Sequence, residues 1–209
     1  MGKKARVLLI SMTTVCLCLA LLVCATYALF SDQVKVNNHL EAGSLEIGLV
    51  WTGYQKCELN AQGVLEVSEK QTMNTDLTDY SGKLFDVGGA VPNSWYAAEI
   101  RVSNEGSIAF DYGVRMLWNE DNTATDLQKE LAGQIRITVT LGGGDTPAAE
   151  FMLSECAKND VDLGSIYAEG EAQTLTVKAE FVDTADNNAA QGADLQFDLQ
   201  VYAVQRAAE

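Results

Sequence analysis

A single histidine, His39, is all that this 209-residue chain offers to chemistry resting on imidazole. Catalytic zinc usually draws on two His ligands on one helical turn with a Glu beside them, and no His-Glu-x-x-His occurs. Ser-His-Asp and Cys-His mechanisms need the same residue, which stands in Asn37-Asn38-His39 and reads as a solvated loop position. Basic residues are scarce too: 14 Lys and Arg face 29 Asp and Glu, a formal charge of −15. So acidic a surface repels nucleic acid and anionic lipid, which excludes both as partners. Acids this plentiful read as solvated surface rather than as the paired carboxylates of a glycosidase. Beyond the N-terminal region there is no second apolar span, and Val204 to Glu209 carries no wall-sorting pattern.

The one long apolar run, Val7 to Ala25, follows Lys3, Lys4 and Arg6. With its flank to Ala28 it spans 22 residues, about 33 Å as a helix, so length does not separate a cleaved signal from an anchor. The small-x-small pattern Thr26-Tyr27-Ala28 does, and predicts cleavage between Ala28 and Leu29. Residues 1–28 are then a signal peptide, the chain's only contact with a membrane, and 29–209 a secreted domain. Leu21 stands at lipid-anchor spacing before Cys24, but Val23 occupies a position that wants a small residue. Removing the three basic residues takes the charge from −15 to −18. Cys16, Cys18 and Cys24 leave with the signal, and Cys57 and Cys156 remain in an oxidising compartment. A disulfide between them closes a loop of about 100 residues, worth about 4–5 kcal/mol in the chain-entropy model. Two separate buried thiols are the alternative, and the sequence leaves both open.

Strand periodicity dominates the secreted part. Leu45, Ile47, Leu49 and Trp51 alternate with partly polar neighbours, as do Ile100 with Val102, and Phe110 through Trp118 at every second position. The same holds for Ile135 to Leu141, Leu175 to Phe181 and Leu195 to Ala203. Six such runs, separated by Gly- and Asn-rich turns, predict one mostly β domain, an antiparallel sandwich of jelly-roll or immunoglobulin-like kind. Thr125 to Ala132 predicts a short helix through the capping box Thr125 and Gln128, and Thr146-Pro147 predicts another over Ala148 to Ala157. Residues 52–83 are polar, threonine-rich and weakly patterned, which predicts an irregular insertion with a hairpin at Val64 to Val67.

Three sets of motifs resemble the TasA and camelysin family of Gram-positive bacteria, whose members are released by a SipW-type signal peptidase. Thr26-Tyr27-Ala28-Leu29-Phe30-Ser31-Asp32 is followed by Glu41-Ala42-Gly43-Ser44-Leu45-Glu46-Ile47, similar to the family's first strand. Asn104-Glu105-Gly106-Ser107 comes after Pro92-Asn93, where the family usually shows Pro-Gly-Asp. Asn188-Ala189-Ala190-Gln191-Gly192 and Ala203-Val204-Gln205 resemble the pattern around the family's last strand. Locally, Asn-x-Gly and Gln191-Gly192 supply backbone positions that tolerate positive φ.

The resemblance implies a secreted matrix protein of the cell surface or biofilm that assembles with itself into head-to-tail fibres and meets other matrix or surface proteins. Strand donation is the mechanism it implies. An arm over residues 29–47, with Leu29, Phe30, Val34, Val36 and Leu40 as its apolar residues, adds to an open sheet edge of the next subunit. Folding of this arm into its own sandwich is the alternative. Camelysin-like relatives also bring a surface zinc metallopeptidase as the runner-up, against which the single histidine argues. An adhesion or carbohydrate-binding module is the third reading, with Trp95 beside Tyr96 as the exposed aromatic pair and Trp51 and Trp118 in the core. No cofactor is expected. Asn119-Glu120-Asp121-Asn122 with Asp126, and Asp183 with Asp186-Asn187-Asn188, leave calcium open, although neither has Asp-x-Asp-x-Asp-Gly spacing and both read as ordinary turns.

Overall fold

The computed structural model describes residues 2, 12–16, 43–78, 80, 82–85, 90–119, 122–144, 146–158, 160–185 and 187–206. They fall in two compact units, Met1–Ala42 and Gly43–Glu209. In the first, residues 12–16 are helical. No helix among the described residues is long and apolar enough to cross a membrane.

Among the described residues the second unit has ten strands. In chain order they are β1 (Ile47–Leu59), β2 (Leu65–Val67), β3 (Gln71–Asp76), β4 (Trp95–Asn104), β5 (Phe110–Leu117), β6 (Ile135–Leu141), β7 (Ala149–Met152), β8 (Val161–Ile166), β9 (Gln173–Phe181) and β10 (Asp198–Gln205). One sheet runs β2-β1-β4-β9-β6-β7, with β3 also paired to β1, and a second runs β10-β5-β8. Every pairing is antiparallel. The mostly β, sandwich-like fold expected from the sequence is what forms.

Register explains the core. Ala98, Val177 and Val139 make one row across β4, β9 and β6, and Ile100, Leu175 and Leu141 make the next. Against this face pack Phe110, Tyr112, Val114 and Met116 of β5 with Leu163 and Ile166 of β8. Each fully buried side chain of this size contributes about 1.5–3 kcal/mol of transfer free energy. Tyr112 carries a hydroxyl into this layer and donates it to Gln173 Oε1 at 2.7 Å. Burial pushes its pKa to about 12.

Helix α1 (Asp126–Ala132) forms with its capping box as expected: Gln128 N donates to Thr125 Oγ1, and the Gln128 side chain accepts from the Thr125 backbone N–H. The second expected helix does not form. Residues 149–152 are strand β7, paired to β6, and Leu153–Lys158 is a 3-10 turn. Glu150 is exposed while Phe151 is buried, so the alternation satisfied by ladder bonds to an open β6 edge overrides the Thr-Pro start signal.

Residues 52–83 form the expected hairpin around Val64 to Val67 but are otherwise not an irregular insertion. β1 continues to Leu59, and β2 and β3 both pair along it. Apolar alternation is weak here because this end of the sheet lies outside the main core and its faces are only half covered. A register shift between Trp51 and Gly53 bulges β1. Before the bulge Leu49 and Trp51 share the core face with Val102 and Ile100. After it Tyr54 and Lys56 take that face, and Cys57 turns with Trp95 to the other.

Two turns carry the remaining local logic. Asn93 has φ 67 and Ser94 N donates to Val91 O at 2.9 Å, a turn in which Asn takes the positive φ. Gly192, at φ 80, holds the positive φ expected of it, but Gly106 does not.

Candidate assembly site

Gly106 is glycine for a different reason: two of the motifs singled out above are one structure. Ser44 N donates to Ser107 Oγ at 2.9 Å. Ser107 N and Ile108 N donate to Ser44 O at 2.9 and 3.3 Å, and Glu105 N donates to Glu46 O at 3.0 Å. Asn104 braces the turn, its Nδ2 donating to Ile108 O at 2.8 Å and Ile166 O at 3.2 Å while its Oδ1 accepts from Gly106 N at 3.0 Å. A Cβ on Gly106 collides with the Ser44 carbonyl and comes within 2.7 Å of Glu46 N, and one on Gly43 collides with Ile108 Cγ2. Close backbone approach therefore excludes a side chain at Gly106, while one at Gly43 would have to displace the Ile108 side chain. Residues 44–46, predicted as the start of the first strand, are instead held by this turn, and the ladder begins at Ile47.

The remaining arm positions, Leu29, Phe30, Val34, Val36 and Leu40, lie outside the described residues, as do the expected cleavage pair Ala28 and Leu29 and the lone His39. What the described residues fix is the point at which the arm enters the sandwich.

Among the described residues β2, β3 and β7 are paired along one edge only in the large sheet, and β10 and β8 in the small one. The solvent face of the small sheet is polar. Arg115 bonds Asp160 Oδ2 at 2.8 Å and lies 4.7 Å from the centroid of the Tyr202 ring, whose hydroxyl crosses Gly113 and donates to Asp162 Oδ1 at 3.4 Å. Burial, then Asp162 and Asp160, raise the Tyr202 pKa. Arg206 extends the strip through Tyr167 Oη at 2.8 Å.

Cys57 and Cys156 stand as separate buried thiols, not as a disulfide. Cys156 packs within the core cluster. The bulge at Trp51 puts Cys57 on the opposite face, opposite Trp95 and Val67. Cys156 lies in the 3-10 turn that follows β7, the far end strand of the large sheet from β1, which carries Cys57.

Trp95 and Tyr96 do not form an exposed pair. Neighbours on a strand face opposite ways, so Tyr96 is buried while Trp95 lies under Lys178, 5.5 Å from its ring centroid. A separate aromatic cluster escaped the sequence reading: Trp51 packs edge-on to Tyr54 at 6.0 Å and to Tyr80 at 6.2 Å. Burial, then the nearby Tyr96 and Glu58, push the Tyr54 pKa to about 12. Trp51 donates Nε1–H to Gly53 O at 2.9 Å, within the bulge, which no period-two pattern reveals.

In the loops considered for calcium, the described oxygens serve the turns. Asn119 Oδ1 accepts from Ala124 N at 2.7 Å, and Asn187 Oδ1 accepts from Thr184 N at 2.6 Å. Among the described residues no group of three or more His, Cys, Asp or Glu is placed to hold a metal ion.

The model of the family described as camelysin metallo-endopeptidase matches residues 3–209. No curated protein matches the chain. Set against that family description, the donor set does not fit a catalytic zinc: one histidine in the chain, and no ligand cluster among the described residues.

Proposed function

The chain belongs to the camelysin metallo-endopeptidase family, and on that premise we propose that it is a secreted, non-catalytic structural protein that assembles copies of itself through the segment preceding Gly43. The observation that carries this reading is the arm root. Four hydrogen bonds and the close backbone approach at Gly106 hold Ser44 to Glu46 against the 104–108 turn. Rigid anchoring of that kind is what an arm needs if its free length is to reach another subunit in a fixed direction. An arm of one copy entering the next is a heterologous contact that does not close, which builds a fibre. Cleavage between Ala28 and Leu29 by a SipW-type peptidase releases the arm, and other matrix or surface proteins are its further partners.

The test compares Leu29 to Glu209 with a chain that lacks Leu29 to Glu41, by size-exclusion chromatography and negative-stain microscopy. Filaments from the first and monomers from the second support the reading; monomers from both overturn it. A peptidase is the second reading, favoured by the family description alone. It requires zinc-dependent cleavage of a protein substrate that disappears in His39→Ala, because His39 is the one imidazole available. The carbohydrate-binding reading loses its platform with Tyr96 buried.

A further inference from the structure

Burial of Tyr96 removes one sugar platform, and the solvent face of the small sheet holds another, made of two stacks of the same kind. Tyr202 and Arg115 form the first. The Tyr202 ring crosses Gly113, its Oη 2.4 Å from where a Cβ would stand, and Arg115 Cζ lies 4.7 Å from the ring centroid. Arg206 and Tyr167 form the second, with Cζ 5.6 Å from the centroid and Nη1 donating to Tyr167 Oη at 2.8 Å. Arg206 N donates to Ala109 O at 3.2 Å and so carries the β10 ladder one residue further, which puts residues 202 and 206 on the same face. Four residues of strand set the two stacks about 13 Å apart. Val204, 60 % exposed, stands between them.

Carboxylates flank both stacks. Asp160 accepts from Arg115, and Asp162 accepts from Tyr202 Oη. At the second stack Asp111 accepts from Ser165 Oγ, which in turn accepts from Arg206 Nη1 at 3.3 Å. These side chains are held by one another before any ligand arrives, so they lose little rotamer freedom on binding. Three Asp against two Arg leave the strip acidic, on a chain of formal charge −15.

That combination selects the occupant. A guanidinium stacked on a phenol ring offers a flat floor to the C–H face of a pyranose. Carboxylates at its edge accept from hydroxyls and pair with ammonium groups. Polyanions are repelled by the charge, and one valine is too little apolar surface to seat an apolar peptide. Two floors in line, about 13 Å apart, call for a linear chain of several units. We infer that the outer face of the small sheet binds a linear amino-sugar polymer with free amines, seated on the Arg115–Tyr202 and Arg206–Tyr167 stacks with its ammonium groups on Asp111, Asp160 and Asp162. The site does not depend on the segment preceding Gly43.

Isothermal titration of the chain from Leu29 to Glu209 with a glucosamine hexamer, its amines protonated, tests this beside the N-acetylglucosamine hexamer and hexalysine. The expected result is saturable binding of the glucosamine hexamer at least about tenfold tighter than of either control. Tyr167→Ala and Asp162→Asn should each weaken it at least about tenfold while the melting temperature stays that of the wild type, since Tyr167 is 58 % exposed and Asp162 is exposed as well. Absence of binding overturns the inference. Hexalysine binding as tightly would show attraction by charge alone, and the N-acetylated hexamer binding as tightly would show that the amines are not read; either overturns it. Unchanged affinity in both variants places the sugar elsewhere and overturns it too.

Discussion

Gly106 and Ser44, 62 positions apart in the chain, touch backbone to backbone, with the Ser44 carbonyl lying where a side chain at residue 106 would begin. Replacing Gly106 by Ala must push Ser44 away and stretch the bonds from Ser107 N and Ile108 N. Two such bonds at about 1 kcal/mol each predict a loss of about 1–3 kcal/mol. Thermal melting measures the loss, and amide exchange at Ser107 and Ile108 locates it. Unchanged exchange at both would show that the turn accommodates a methyl group without releasing the arm root.

Cys57 and Cys156 are expected to remain thiols on opposite sides of the large sheet. A reductant then leaves the melting temperature unchanged, and a thiol reagent titrates both only after unfolding. A fall of several degrees under reducing conditions would instead reveal a bridge and a different course for β1.

Tyr112→Phe removes the hydroxyl that Gln173 accepts and leaves that amide oxygen half buried without it. A destabilisation of about 1–2 kcal/mol follows, readable as a shift in the urea midpoint with an unchanged slope. No change would mean that water replaces the hydroxyl.

Alkali attacks the same residue. Tyr54 and Tyr112 have their pKa raised from 10.0 to about 12, so the folded state favours the neutral phenol. Their contribution is fully present below pH 10 and is lost as pH rises through the folded value. Unfolding followed by circular dichroism should therefore coincide with a steep rise in tyrosinate absorbance between pH 10 and about 12. Phenols that titrate near pH 10 in a protein still folded would contradict the burial of both.

The six apolar runs were legible because β4, β5, β6, β9 and the ends of β1 and β10 each bury one face, and burial writes period two into a sequence. β3 and the far half of β1 stayed hidden because neither of their faces enters the main core, so β3 carries Met73 as its one apolar residue and shows no period-two signal, while β2 was legible only as the hairpin at Val64 to Val67. The bulge at Trp51 hid more: it moves Cys57 to the other face, which makes a disulfide with Cys156 look open in sequence and closes it in space. The arm root was visible only as two separate motifs. Their contact depends on the long return of β4 along β1, and Gly106 was read as a turn glycine when close approach is what demands it.

Charge governs the last expectation. With the signal removed the formal charge moves from −15 to −18, and copies brought together in a fibre repel one another. In the proposed assembly, repulsion between copies therefore sets the threshold. Lowering pH toward the sequence pI of about 4.3 protonates carboxylates and weakens the repulsion, and added salt screens it beyond about 10 Å at 0.1 M. Light scattering at fixed protein concentration should therefore show earlier assembly in either condition, with salt losing its effect near the pI. If the threshold stays fixed across both series, repulsion is not the barrier, and release of the arm is the step that limits assembly.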